Sequence, residues 1–294
     1  MAIQYSGLTI VNTTFTCTTG TRQEIVNGVA AALLAAGWTQ VAGISGGTDQ
    51  TLKSGTTPQG FAIRIRVFEP GAGNCAQLFM HNATGSLTQT TNPIFLLPSV
   101  GAVYRVIASA YQFFILQPGI TTVRTFACGG VPYVPSFLTS GASPTTAVGW
   151  LTSNAQSDTD ATVRTSFRTN LGCISANCSG LYNGTLWANF GGGSGNHALV
   201  VPVSAIQQTW TAGGSDFNYS DGSALIVDPL IAWGTTNLSA LGVIYGQLWD
   251  AAVITDSFVA DTAATFDSHN WFNITGSNVG TNVLARGSLF VVVP

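Results

Sequence analysis

Two hydrophobic periods organise the chain. In residues 21–37 apolar side chains recur at helical spacing, at Ile25, Val26, Val29, Leu33 and Leu34, with alanines between them. Thr21-Arg22-Gln23-Glu24 has the spacing of a capping box, and Gly37 stands where a left-handed residue ends a helix. The pattern predicts a short amphipathic helix over about residues 21–36, with a small alanine face that permits close packing. Beyond it the period falls to two. Phe61, Ile63, Ile65 and Val67 share one face of an extended segment, and Arg64 and Arg66 lie on the other, as in a half-buried strand. Gly71-Ala72-Gly73 reads as a turn, and Cys75 to His81 as the antiparallel neighbour. Tyr104 to Ala108 and Tyr111 to Gln117 read as two more strands, the second stopped by Pro118-Gly119. The stretch carrying Phe126, Cys128, Val131, Pro132, Tyr133 and Pro135 reads as leading out of the sheet.

Residues 138–161 are small and polar, which suggests a boundary or a long exposed loop. After it come short apolar patches separated by Gly, Asn, Asp and Ser: Ala198 to Val203, Ala224 to Ile231, Gly242 to Trp249 and Ser288 to Val293. The expected fold is α+β and β-dominated. Residues 1–140 would form an antiparallel sheet with one packed N-terminal helix. Residues 141–294 would form a β-rich, glycine-rich, loop-rich domain whose C-terminal strand returns to a sheet.

Composition sharpens this picture. The 294 residues hold only 9 Lys and Arg against 12 Asp and Glu, so 7% are charged, yet 46% are hydrophobic. Ordinary soluble domains carry about 25% charged residues. Lys53 is the one lysine, and Glu24 and Glu69 are the two glutamates. Mean hydropathy is +0.33. Surface this poor in charge is suited to burial against other subunits, because interface cores are depleted of Lys, Glu and Asp. The same scarcity argues against nucleic acid, since the cations form no basic stripe; Arg64 with Arg66, and Arg164 with Arg168, are isolated pairs. The apolar runs fall far short of a bilayer span, so no membrane is expected. Met1-Ala2-Ile3-Gln4 has no basic n-region, so synthesis in a cytoplasm is expected. Cys17, Cys75, Cys128, Cys173 and Cys178 then read as small buried apolar residues, with Cys173 and Cys178 close enough to pair later, outside a cell. The sequons at Asn12, Asn82 and Asn183 arise by chance in a chain rich in Asn, Ser and Thr.

A search for reactive constellations yields no catalytic, cofactor-binding or metal-binding residue. Gly43-Ile44-Ser45-Gly46-Gly47 matches a nucleophile elbow on paper, but no helical pattern follows it. Glu24 is spoken for by the cap, and Glu69 precedes Pro70 at a strand end. Asp158 and Asp160 lie in a polar stretch, and Asp250, Asp256, Asp261 and Asp267 are irregularly spaced, as turn and cap residues are. His81, His197 and His269 stand apart from one another and from any Cys cluster.

The first half carries a likeness. Ala35-Ala36-Gly37-Trp38-Thr39 leads to a Gly/Ser-rich turn, followed by Leu52-Lys53-Ser54-Gly55, Thr57-Pro58-Gln59-Gly60 and a strand ending at Pro70-Gly71. Ala110-Tyr111-Gln112-Phe113-Phe114 and Val131-Pro132-Tyr133-Val134-Pro135 come later. Over roughly residues 20–140 this order resembles uncharacterised virion structural proteins of tailed bacteriophages. The resemblance implies a multi-copy, non-enzymatic part of the particle, in the tail, baseplate or neck, with other virion proteins and further copies of itself as partners. A capsid decoration protein is one alternative. A receptor- or glycan-binding module of the virion is another, for which Asp216-Phe217-Asn218-Tyr219 and His269-Asn270-Trp271-Phe272-Asn273 would supply aromatic faces beside polar groups. A polysaccharide depolymerase, working through aspartates, is the third.

Overall fold

The computed structural model describes residues 3–43, 47–71, 73–82, 94–117, 126–133, 148–153, 179–182, 185–186, 196–200, 226–227, 230–234, 243–254, 261–274 and 288–294. Within them the protein is β-dominated α+β, with one helix and strands paired antiparallel in four sheets.

The helix α1 (Arg22–Ala35) is fastened at both ends. At its start the Glu24 carboxylate accepts hydrogen bonds from the backbone N–H groups of Thr18 (2.8 Å), Thr19 (3.1 Å) and Thr21 (3.1 Å), and from the Thr18 hydroxyl at 2.5 Å. One carboxylate thus organises the whole turn that enters the helix, which extends the predicted capping box. Arg22, in the first turn, donates to Glu69 at 2.8 Å and to the carbonyls of Pro70 and Gly73, both at 2.8 Å. At the other end Gly37 adopts φ +93°. Its N–H bonds Leu34 O and the Trp38 N–H bonds Leu33 O, both at 3.0 Å, which is the Schellman arrangement. Trp38 is buried, donates from Nε1 to Ser109 O at 2.9 Å and meets the Phe113 ring edge-on.

The central sheet has seven strands in the order β1 (Val11–Thr16), β7 (Val103–Ala108), β8 (Gln112–Leu116), β9 (Phe126–Gly130), β10 (Val148–Ser153), β11 (Ser179–Tyr182) and β12 (Thr185–Leu186). Against one face lie α1 and a five-stranded sheet, β2 (Thr39–Gly43), β3 (Asp49–Lys53), β4 (Ile63–Phe68), β5 (Ala76–Asn82) and β6 (Ile94–Leu96). Ile63, Ile65 and Val67 face inward as the alternation predicts, and join Ile25, Val29 and Leu33 of the helix in one core. Two glycines record how closely these layers approach. A Cβ on Gly28 would lie 2.5 Å from the Phe15 ring, and one on Gly149 would lie 2.6 Å from Ile63 Cγ2 and Met80 Sδ.

Against the opposite face lies a second five-stranded sheet, β14 (Ile226–Val227), β17 (Ala251–Ile254), β20 (Ser288–Val293), β19 (His269–Asn273) and β18 (Ala263–Phe266). Its inner side brings Ala251, Phe272, Leu289 and Val291 into the main core. The guanidinium of Arg105 in β7 sits 3.6 Å from the Phe272 ring centroid and donates to Asn12 Oδ1 at 2.8 Å. Three further strands, β13 (Asn196–Val200), β15 (Leu230–Gly234) and β16 (Val243–Gln247), make a separate sheet.

Several expectations need correction. Phe126–Gly130 does not lead out of the sheet; it pairs with β8, where Cys128 lies opposite Phe114. Residues 148–153 interrupt the stretch read as a boundary or loop: Trp150 and Leu151 are fully buried in β10, which pairs with β9. The division drawn at residue 140 therefore has paired strands on either side of it, and residues from both sides share one core. Local composition hid this, because four apolar or small residues, Val148 to Leu151, sit among polar neighbours. Cys17, Cys75 and Cys128 are buried thiols as expected, whereas Cys173 and Cys178 lie outside the described residues.

Two outcomes are expected. In an unconstrained helix Gly→Ala gains about 1 kcal/mol. Here Gly28→Ala should instead cost about 1–3 kcal/mol by overpacking, measured by urea unfolding, and Phe15→Ala should relieve it. The hydroxyl of Thr18, then the surrounding amides, hold the Glu24 carboxyl at about 2 against an ordinary 4.5. Its contribution is therefore complete above pH 4.5 and disappears as pH falls through about 2. Thermal melts should show Glu24→Gln less stable at neutral pH, with a shallower loss of stability over that acidic range.

Candidate functional site

Two regions stand out, one by what it presents to solvent and one by its chemistry. The first is the open side of the central sheet. Strand β1 reads Val-Asn-Thr-Thr-Phe-Thr, with no charge and no proline, and pairs with β7 over six residues without a register shift. Among the described residues no strand pairs with its outer edge. Thr13, Thr14 and Thr16 are exposed. Beside them Val103 is 38% exposed, and Val100 is 75% exposed in the turn before it. That turn has Gly101 at φ +78° and an Ala102 N–H to Ser99 O bond of 2.9 Å, the type II pattern that leaves its first central residue pointing outward. The edge of the outer sheet, β2, is also uncharged, but a register shift between Gln40 and Ala42 bulges it at Val41.

The second region is where residues 3–10 cross the outer side of the sheet formed by β14, β17, β20, β19 and β18. That side presents Ala252, Trp271, Phe290 and Val292, and Ile3, Tyr5 and Ile10 pack on it. Asp250 binds the crossing segment. Its N–H donates to Gln4 O at 2.7 Å and its Oδ1 accepts the Ser6 N–H at 2.8 Å. Asp250 O accepts the Val292 N–H at 2.9 Å, so this residue joins the segment to β20. It adopts φ +47°, a conformation that Asp and Asn tolerate better than most residues. Its side chain is buried; Oδ2 has no hydrogen bond among the described residues. Burial pushes the carboxyl up, opposed by the Ser6 bonds and by His269 nearby.

Aromatic rings line the same crossing. Tyr5 stacks on His269 with centroids 4.2 Å apart, and Phe266 stacks on Trp271 at 4.4 Å. The Tyr5 hydroxyl donates to Asp267 Oδ2. His269 Nδ1 lies 2.6 Å from Asp267 O, so that nitrogen carries the proton. The hairpin β18–β19 turns on Asp267 and Ser268, both at positive φ (49° and 60°), as a type I′ turn requires.

The sequence candidates fall as follows. Trp271 is fully buried and Phe272 nearly so, with Trp271 Nε1 donating to Phe266 O at 2.9 Å; neither ring offers a face to a sugar. Gly43 and Gly47 flank the connection of β2 to β3, two antiparallel strands, where a nucleophile elbow would need a following helix. Ser45, Asp158, Asp160, Arg164, Arg168, Asp256 and Asp216 to Tyr219 lie outside the described residues. Glu24 and Glu69 are occupied as cap and ion-pair acceptor. Arg66 holds Asp49 with both Nε (3.0 Å) and Nη2 (2.6 Å) and lies over Phe68. His81 and His197 sit in β5 and β13, separate from His269 in β19. No group of three or more His, Cys, Asp or Glu placed to hold a metal occurs among the described residues. No described helix is long and apolar enough to cross a membrane. The Asp250 crossing was missed in the sequence, because it is assembled from segments at opposite ends of the chain.

No protein-family model matches the chain, and no curated protein matches it in sequence.

Trp271→Ala should lower stability by about 3–5 kcal/mol, the usual cost of emptying a large buried aromatic site, measured by chemical denaturation. A cost below 1 kcal/mol would mean that the ring is not part of the core.

Proposed function

We propose that this chain is a non-enzymatic structural subunit of a tailed-bacteriophage virion, in the tail, baseplate or neck, assembling with copies of itself and with other virion proteins. The observation that supports an assembling subunit is the β1 edge. Proteins that stay single blunt such edges with lysine, proline or a bulge. β1 has none of these over its six residues, and exposed Val100 and Val103 add apolar surface beside its exposed threonines. A neighbouring strand would satisfy the edge amides and carbonyls, while side-chain packing on the valines would add apolar burial. A chain with 7% charged residues has little charge to desolvate when such surface is covered. The likeness of residues 20–140 to virion structural proteins supports the particle as the place where this happens.

Quantitative mass spectrometry of density-purified particles should find the chain at a fixed low stoichiometry relative to the major capsid protein; absence from the particles overturns the reading. In vitro, Thr16→Lys should suppress self-association in sedimentation velocity while changing stability by no more than about 0.5 kcal/mol. Hydrophobic assembly should also vary little with salt, since few charges are involved.

A further inference from the structure

The hydrogen bonds around β1 fix which of its backbone groups face outward. The Cys17 N–H donates to Ala102 O at 2.8 Å, and Cys17 O accepts the Gly101 N–H at 2.7 Å, so the residue just past the strand turns both groups toward the β7 side. On the far side of β7 the Ser109 N–H donates to Gln112 O at 2.9 Å. That bond turns the odd-numbered residues of β7 toward β8 and leaves Tyr104, Val106 and Ala108 to bond β1. Their partners in β1 are Phe15, Thr13 and Val11. Both observations give the same alternation: Asn12, Thr14 and Thr16 direct their N–H and C=O groups away from β7. Among the described residues, no backbone bond from outside the β1–β7 pair reaches these three.

The outward set is symmetric about Thr14. Turned about a two-fold axis at that residue, the strand meets itself antiparallel, with Thr14 opposite Thr14 and Asn12 opposite Thr16 in both directions. All three outward residues then sit in hydrogen-bonded pairs, giving about six backbone bonds. An axis at Thr13 or Phe15 pairs only two of the three within the strand, so hydrogen bonding favours Thr14. Side chains agree with this register. Thr opposite Thr is a favourable cross-strand pair, and on the other face half-buried Phe15 lies opposite Thr13. The strand carries no charge, so it meets its own copy without repulsion. Charges flank it at opposite ends, Arg105 bonded to Asn12 and Glu24 bonded at Thr18. Antiparallel self-pairing sets these unlike ends side by side, whereas parallel pairing in register sets like ends together.

We infer that β1 pairs with β1 of a second copy of this chain, antiparallel about a two-fold axis at Thr14, so that the two central sheets run on as one. The inference rests on the reading of β1 as the assembly edge, and adds the partner, the direction and the register. Such a contact is isologous and closes on itself. It consumes both edges and yields a dimer, not an open chain of subunits.

The test is oxidative cross-linking of the full chain in a Cys173→Ser, Cys178→Ser background, with sedimentation velocity of charge variants. Facing Thr14 positions stand roughly 5.5 Å apart between Cα atoms, within disulfide reach. The two Thr16 positions are displaced along the strands to about 14 Å. Thr14→Cys should therefore cross-link to dimers at least tenfold faster than Thr16→Cys. Thr14→Lys and Thr14→Glu, at an exposed position, each set like charges on the axis and should be monomeric alone. Mixing the two in equal amounts should restore the dimer, which requires that both variants are folded. Equal cross-linking at both positions, or cross-linking at neither, overturns the two-fold register. If Thr16→Lys still suppresses self-association in that case, the β1 edge stands as the assembly surface without this geometry. A wild-type chain that stays monomeric at high concentration overturns the self-pairing, while mass spectrometry of particles decides the virion role separately.

Discussion

The middle strand β8 of the central sheet has no face left for water, and much of the architecture follows from that constraint. Gln112–Leu116 is buried at every position, because α1 and the β2–β6 sheet cover one side while the C-terminal sheet covers the other. A strand covered on both faces must be apolar without alternation, or must satisfy its polar groups internally. Phe113, Phe114, Ile115 and Leu116 meet the first condition. Gln112 meets the second: its side-chain amide donates to Trp249 O and accepts the Trp249 N–H at 3.2 Å, imitating a strand pair with a segment from the far end of the chain. The double covering explains how residues from the beginning, middle and end of the sequence come to share one core.

Scarcity of charge is handled by concentration. Each described charged group that is well placed serves several contacts at once. Glu24 gathers three backbone amides and a hydroxyl. Arg22 ties the helix to the β4–β5 connection through one carboxylate and two carbonyls. Arg105 spans the interface between two sheets, lying on Phe272 while bonded to Asn12. These groups act as fasteners between layers, which leaves Thr, Asn, Gln and Ser to meet solvent.

Legibility in the sequence followed locality. The helix was readable to within a residue at each end, because its cap, its apolar stripe and its terminating glycine lie within 17 consecutive positions. The Ile63–Phe68 strand was readable because one face is wet and the alternation survives. β1 was not, since its Thr-rich edge has little hydrophobic contrast, and β10 was not, since its apolar core is four residues long. The Asp250 crossing had no local signal at all. It depends on a residue near position 250 meeting Gln4 and Ser6, and only tertiary packing joins them. Among the motif-like candidates, the Gly43–Gly47 pattern lies between two antiparallel strands, and Trp271 proved to be a core residue in a polar sequence context.

The missing Cβ at Gly28 has a mechanical side. With the Phe15 ring seated directly on the helix backbone, the outermost strand of the central sheet is locked to α1, and through Gly37 and Trp38 to the β7–β8 turn. An edge strand held in this way is tied at its Phe15 end to the helix that packs beneath it. Its conformational entropy is surrendered when the chain folds, so a strand added along it would not have to order it first.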